Sequence, residues 1–260
     1  MIRLDLYLSN FGFVKSRQKA KALIEEGFVF VNSEKITKPA TLVDEANSLK
    51  IEIVDPCPYV SRGGLKLEKV IESAKLQIKG KTIVDIGAST GGFTDCLLKH
   101  GANLVYAVDS GSNQLSESLK TDARVISIEN YNARNINHDD IGEYCDIITI
   151  DVSFISQTYI LPKSVNLLCE NGIYVSLIKP QFEAGKDKID KGGIVKKPQN
   201  RLFAVKRVID CALENGLKCT YFDKSPILGG DGNIEYLAVF EKNTKKIISF
   251  EFIKNIILEK

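Results

Sequence analysis

The stretch Thr82-Ile83-Val84-Asp85-Ile86-Gly87-Ala88-Ser89-Thr90-Gly91-Gly92-Phe93-Thr94-Asp95 decides the fold. It reads as a buried apolar strand, a glycine-rich turn and the opening of a helix. A second apolar run, Leu104 to Val108, ends on Asp109. Strand, helix and strand at this spacing make a parallel βαβ unit, because parallel neighbours need a crossover that a hairpin cannot supply. Further strands are expected at 124–128, 146–151, 172–179 and 234–240, with a helix over 199–214. The larger part of the chain therefore reads as a doubly wound, Rossmann-like α/β domain.

Within the turn, Gly87, Ser89, Gly91 and Gly92 are the expected cofactor contacts, since glycine lets the backbone approach a ligand closely. A dinucleotide-binding turn would read Gly-x-Gly-x-x-Gly, and Ser89 stands at the second glycine position, which weakens an NAD reading. Asp85, two residues before Gly87, suits the positively charged amino-acid end of S-adenosylmethionine, directly or through water. Asp109, 22 residues after Gly87, is placed to accept hydrogen bonds from both ribose hydroxyls. Glu129 and Asn130 fall where such folds meet the adenine.

Asp151 and Lys179 each end an apolar strand and so share the cofactor's edge of the sheet. Amino-group methyltransferases often carry Asn-Pro-Pro-Tyr at this strand end. Asp151-Val152-Ser153-Phe154 stands there instead, which favours an oxygen target. A ribose hydroxyl is a very weak acid, so a lysine with a lowered pKa would accept its proton or steer a lone pair. Lys179 is the candidate, with Asp151 to orient it, Lys66 as a second cation and Glu235 to close the set. Any one of these charges alone reads equally well as a solvated strand end.

The first sixty residues have a different texture. Ser16 suits a helix cap, Arg17 to Glu26 carries Ala20, Leu23 and Ile24 at helical spacing, and Gly27 supplies a stop. Phe28 to Val31, the turn Asn32-Ser33 and Glu34 to Ile36 then read as a hairpin. Over the whole chain 35 basic residues face 33 acidic ones, a formal charge of +2. Residues 1–24 nevertheless hold Arg3, Lys15, Arg17, Lys19 and Lys21 against Asp5 alone, a local basic face able to track phosphates. A second basic stretch, Lys186, Lys188, Lys191, Lys196, Lys197 and Arg201 around Gly192-Gly193, is expected to be a mobile loop that clamps RNA backbone.

Six cysteines lie scattered without a close pair, which argues against a zinc site or a disulfide framework and for a reducing, cytoplasmic setting; no metal is expected. No run reaches the roughly 18 apolar residues of a spanning helix, so no membrane is expected. The stretch Ile247 to Ile253 should pack as a terminal strand and helix.

Arg3-Leu4-Asp5, Ser16-Arg17-Gln18-Lys19-Ala20 and Gly27-Phe28-Val29-Phe30-Val31-Asn32 resemble the RNA-binding domain named after ribosomal protein S-four. The resemblance implies an RNA-docking module. Lys66, Asp151, Lys179 and Glu235 resemble, in the same chain order, the Lys-Asp-Lys-Glu tetrad of the FtsJ-like ribose methyltransferases. Tyr59-Val60-Ser61-Arg62-Gly63-Gly64, Ser89 to Asp95 and Lys179-Pro180-Gln181-Phe182-Glu183 complete a resemblance to the TlyA family, often named haemolysin. It implies an RNA-binding domain over 1–58, a linker over 59–64 and a methyltransferase domain over 65–260. It also implies S-adenosylmethionine as cofactor and 2′-O-methylation of cytidine in ribosomal RNA within ribosomal subunits. Arg3, Arg17, Lys19, Lys21, Arg62, Lys196 and Lys197 become the expected RNA contacts. The short sequence ahead of Asp5 leans toward the large subunit, with the small subunit as a further target. A monomer is expected. The rival readings are a pore-forming haemolysin, a non-catalytic ribosome-binding factor and an NAD enzyme.

Overall fold

The chain divides into two compact units, Met1–Pro58 and Tyr59–Lys260, in a computed structural model that describes residues 1–14, 16–44, 49–54, 57–230 and 232–259. Lys15, used in the charge count above, lies outside the described residues.

The first unit is a small α+β module. Its elements are β1 (Ile2–Arg3), α1 (Leu4–Asn10), α2 (Arg17–Glu25), β2 (Val29–Val31), β3 (Glu34–Ile36), β4 (Leu42–Val43) and β5 (Ile51–Ile53). Ser16 caps α2 as expected, its side chain accepting from the Lys19 amide at 3.2 Å and so satisfying one of the helix's orphan donors. Ala20, Leu23 and Ile24 are buried together with Leu4, Tyr7 and Leu8 of α1. Each such leucine or isoleucine contributes about 1.5–3 kcal/mol relative to exposure. The hairpin forms with Val31 opposite Glu34. Asn32 and Ser33 both take left-handed φ, 51° and 71°, the mirror-image turn whose twist matches the strands it joins. Helix α1 and the β1–β4 pair had no clear sequence signal.

The second unit is built from α3 (Gly63–Ala74), β6 (Thr82–Ile86), α4 (Gly92–Lys99), β7 (Leu104–Val108), α5 (Glu117–Lys120), β8 (Val125–Ile128), α6 (His138–Ile141), β9 (Cys145–Ile150), α7 (Leu161–Ser164), β10 (Leu168–Ile178), α8 (Pro180–Glu183), α9 (Pro198–Glu214), β11 (Lys218–Lys224), β12 (Tyr236–Glu241) and α10 (Phe250–Leu258). The strands form one sheet in the order β11-β12-β10-β9-β6-β7-β8. From β10 to β8 all neighbours are parallel, and β12 runs antiparallel between β10 and β11. Ile83 through Ile86 and Ile147 through Ile150 are all buried, as expected of strands covered on both faces. Chain order reverses between β6 and β9, so a crevice opens beyond their carboxyl ends.

Two expectations need correction. Residues 59–64 are not a linker: Tyr59 is buried, Gly63 already belongs to α3, and the Val60 amide donates to Asp95 Oδ2 at 2.8 Å. Gly64 serves close packing rather than flexibility, since a Cβ there would lie 2.3 Å from the Tyr59 ring. The C-terminal apolar stretch contributes no strand. It leads into α10, which buries Ile253 and Ile257 in the core. No helix among the described residues is long and apolar enough to cross a membrane.

Candidate active site

The crevice beyond β6 and β9 holds a cleft of about 250 Å³ lined by backbone and side chains of Ser61, Lys66, Gly87, Ser89, Gly92 and Asp151, among others. Its floor is the glycine turn. A Cβ on Gly87, at φ +86°, would lie 2.3 Å from the carbonyl oxygen of Asp151. Glycine is therefore required where the ends of β6 and β9 meet. The Asp151 amide donates to the Ile86 carbonyl at 2.9 Å, which fixes Asp151 to the same junction. Gly92 is constrained less severely: a Cβ there would lie 2.2 Å from Ser61 Oγ and 3.1 Å from the Gly64 amide nitrogen. The starts of α3 and α4 thus abut, and the string Tyr59 to Gly64 is specific because it packs on the turn.

Four charged side chains meet around this cleft as two ion pairs. Lys66 Nζ donates to Glu235 Oε2 at 2.6 Å, with only 11% and 3% of the two side chains exposed. Lys179 Nζ lies 2.5 Å from Asp151 Oδ1 and donates to Ser153 Oγ at 2.9 Å. Lys66 and Asp151 both line the cleft, so the residues at 66, 151, 179 and 235 converge on one place. Desolvating two ammonium groups costs several kcal/mol each unless the geometry repays it, so such pairs are weak evidence for stability.

The cofactor residues proposed from the sequence divide. Gly87, Ser89 and Gly92 line the cleft. Gly91, at φ +95°, packs on Leu115 and Leu119 instead. Asp85 does not reach the cleft: it is fully buried, and its oxygens accept from Thr94 Oγ1 at 2.7 Å and Thr149 Oγ1 at 2.8 Å. Burial pushes its carboxyl up to about 6 despite those hydroxyls. Its placement makes it a tie between α4 and β9, where the sequence had pointed it at a ligand. Asp109 Oδ2 accepts from the Ser89 amide at 2.8 Å and Oδ1 from the Gly111 amide at 2.7 Å. It braces the turn and keeps lone pairs for a further donor. Glu129 Oε2 accepts from the Asn113 amide at 2.8 Å, while its Oε1 is buried without a hydrogen-bond partner. Asn130 is exposed in a left-handed conformation at φ +56°.

Among the proposed RNA contacts, Arg3 and Arg17 both grip the buried Asp5 at 3.0 Å, with 43% and 53% of their side chains still exposed. Lys19 is half-buried, and Lys21 is exposed 3.7 Å from Glu25. Arg62 is exposed at the cleft mouth. Lys196 and Lys197 are exposed, and their loop is hydrogen-bonded to a buried asparagine. Asn233 accepts from the Val195 amide at 3.0 Å and donates to the Gly193 carbonyl at 2.9 Å, and Asp190 bridges Ile194. The buried Asn233 side chain thus joins both sides of the loop around Gly192-Gly193.

Two residues escaped the sequence reading. Glu183 is buried, accepting from the Ser156 hydroxyl and, at 2.9 Å, from the Gln157 amide. Gln157 in turn binds the Leu177 carbonyl at 3.3 Å and the Ser176 hydroxyl, so this network underpins the strand end that carries Lys179. Phe154 is 92% exposed at φ +64°, packed at 5.2 Å on Phe182. An exposed phenylalanine in a left-handed conformation is strained and needs a local reason. The signal for Glu183 was its place at the end of Lys179-Pro180-Gln181-Phe182-Glu183. For Phe154 there was none beyond its place after Asp151.

A family model described as FtsJ-like methyltransferase matches residues 59–242, and one described as S4 domain matches residues 2–47. The chain belongs to the FtsJ-like methyltransferase family and carries an S4 domain at its amino-terminal end. Among its relatives, Hemolysin A of Brachyspira hyodysenteriae is 46% identical over 244 residues, covering 92% of this chain and 99% of that protein. The 16S/23S rRNA (cytidine-2′-O)-methyltransferase TlyA of Mycobacterium tuberculosis is 38% identical over 247 residues, covering 95% and 92%. A solved structure described as a hemolysin from Streptococcus thermophilus superimposes with a TM-score of 0.79 at 40% identity, covering 98% of this chain and 94% of that one. The expected kinship with the TlyA group holds.

Proposed function

We propose that this protein is a ribosomal RNA methyltransferase that transfers the methyl group of S-adenosylmethionine to the ribose 2′-hydroxyl of a cytidine, in the large ribosomal subunit first and the small subunit as a further target. The observation that carries this reading is the meeting of the Lys66–Glu235 and Lys179–Asp151 pairs at one cleft floored by the glycine turn. The relatives named as rRNA (cytidine-2′-O)-methyltransferases support the choice of substrate.

The residues present suit the cofactor. A glycine-turn backbone, the remaining lone pairs of Asp109 and the unpartnered Glu129 Oε1 along the same sheet edge offer acceptors for an ammonium, ribose hydroxyls and an amine. When bound, the cofactor supplies an electrophilic methyl on a sulfonium. The chain's own residues do the rest. The Lys179 ammonium, paired with Asp151, would hold the 2′-oxygen with a lone pair aimed at the methyl carbon, whose bond to sulfur would break as the oxygen–carbon bond forms. The hydroxyl proton would pass to the Asp151 carboxylate, and Lys66 with Glu235 would fix the ribose for in-line attack. Phe154 and Phe182 offer an aromatic face for the target base beside Lys179, whose Nζ lies 6.0 Å from the Phe182 ring centre. The S4 domain, Arg62 and the Lys196–Lys197 loop hold RNA backbone, in the cytoplasm and with the protein as a monomer. Haemolytic naming finds no counterpart in α10, whose apolar face packs in the core.

The test is transfer of labelled methyl to purified ribosomal subunits, followed by mass-spectrometric mapping of ribose methyls. Methylcytidine formation that disappears in Lys179→Ala is expected. Transfer to a base nitrogen, or none to either subunit, would defeat the reading.

A further inference from the structure

The amino-terminal unit carries three near-parallel rings that its basic helix does not explain. Phe11 stacks on Tyr7 with centroids 4.4 Å apart and planes at 27°, and Phe13 stacks on the same ring at 6.0 Å and 24°. Tyr7 is buried, yet Phe11 and Phe13 keep 55% and 44% of their surface open to solvent. A single exposed phenylalanine is ordinary. Two phenylalanines aligned on one buried tyrosine are a fixed aromatic surface, because the stacking holds their planes in place. Cations follow closely along the chain. Phe11 and Phe13 lie in the connection that enters α2, where Arg17, Lys19 and Lys21 follow, and Arg17 Nε is held at 3.0 Å on Asp5, two residues before Tyr7 on α1.

We propose that Phe11 and Phe13 form a stacking platform for an unpaired RNA base, so that the amino-terminal unit recognises a bulge or loop in preference to continuous duplex. The proposal rests on the RNA-docking reading given above and adds the class of RNA element. A paired A-form helix presents phosphates and 2′-hydroxyls but keeps its base faces inside the stack, whereas a splayed base offers a flat face that aromatic rings bind with little regard to sequence. A second copy of this chain fits the surface poorly, since the basic helix of each copy would face that of the other. RNA phosphates instead neutralise those cations while a base covers the rings.

The experiment uses the full-length chain, Phe11→Leu/Phe13→Leu in the same chain, and two RNA probes. One probe is a duplex of about 16 base pairs, the span of a typical double-stranded RNA contact. The other is the same duplex interrupted by a short bulge carrying 2-aminopurine. Leucine preserves apolar contact with Tyr7 and removes the flat faces, so an unchanged affinity for S-adenosylmethionine and unchanged duplex affinity report a sound fold. The wild-type chain should bind the bulged probe about tenfold more tightly than the duplex, with a change in 2-aminopurine fluorescence, at the low end of what one base on an aromatic face contributes. The double variant should lose that preference. A variant that keeps it, or that weakens both probes equally, overturns the platform alone. Sedimentation showing a wild-type dimer that the variant abolishes overturns it in favour of self-association. A wild-type chain that binds neither probe overturns the docking reading beneath it as well.

Discussion

Two arrangements of opposite charge, one in each unit, make the plainest contrast in this molecule. In the amino-terminal unit the carboxylate of Asp5 is buried, while the cations it holds, Arg3 and Arg17, remain about half exposed. In the methyltransferase unit the cations themselves are buried: Lys66 and Lys179 expose 11% and 12% of their side chains. Exposed guanidinium groups cost little to keep and stay within reach of phosphate. Buried ammonium groups cost several kcal/mol in lost hydration, and the carboxylates beside them offset part of that cost. The first arrangement leaves its positive charge on the surface, and the second holds it at the cleft.

The contrast breaks most decisively at the lysines. Lys179→Ala and Lys66→Ala should each lower methyl transfer about 10²–10⁴-fold with cofactor affinity unchanged by direct titration. Turnover near wild type in both would mean that the buried pairs are merely structural. Arg17→Ala should weaken RNA binding, with a shallower salt dependence and an unchanged rate on saturating substrate, while Asp5 keeps Arg3 as a partner.

Next in size is the support beneath Lys179. Glu183→Ala leaves the Ser156 hydroxyl and the Gln157 amide without their shared acceptor. A displacement of about 1 Å at the reacting groups costs on the order of 10²-fold in rate. A kcat loss of that order with KM preserved would mark Glu183 as a positioning residue. A KM effect alone would contradict that role.

The junction of β6 and β9 gives a stability effect of similar clarity. Gly87→Ala combines a clash with the Asp151 carbonyl and a φ of +86°, and should destabilise the second unit by about 3 kcal/mol. Chemical denaturation followed by circular dichroism measures this.

The smallest effect separates the units by pH. Arg3 and then Arg17 hold the Asp5 carboxyl down at about 2, below its ordinary 3.8. The stability Asp5 contributes is therefore full above about pH 4 and is lost as pH falls toward 2. Asp85 moves the other way, raised from 3.8 to about 6 by burial. Between about pH 4 and 6 the folded chain holds a proton that the unfolded chain has released, so the methyltransferase unit loses stability as pH rises through that window. Hydrogen exchange followed by mass spectrometry, corrected for intrinsic rates, should show this slope in the second unit and not in the first. Asp85→Asn should flatten it.

Much of the fold was legible because periodicity and turn chemistry are local. The apolar runs at β6, β7, β9 and β10, the Ser16 cap and the Asn32-Ser33 turn all declared themselves in short windows. The antiparallel place of β12 was not legible, because strand direction depends on which neighbour a strand meets. Asp85 shows the limit at a single residue. A strand-end aspartate beside a glycine turn looks like a ligand contact, and only the arrival of Thr94 and Thr149 from other elements turned it inward.

By itself the sequence determined the kinds of groups available and the elements that bear them: two lysines and two acids at strand and helix ends, a glycine turn, and a basic capped helix. The tertiary structure alone decided that Lys66 pairs with Glu235, 169 positions away, that Asp151 pairs with Lys179, and that both pairs meet at one cleft. The physical reason is range. Backbone conformation is set by neighbours a few residues apart, whereas an ion pair is set by distance in space, which exists only once the sheet has closed the crevice between β6 and β9.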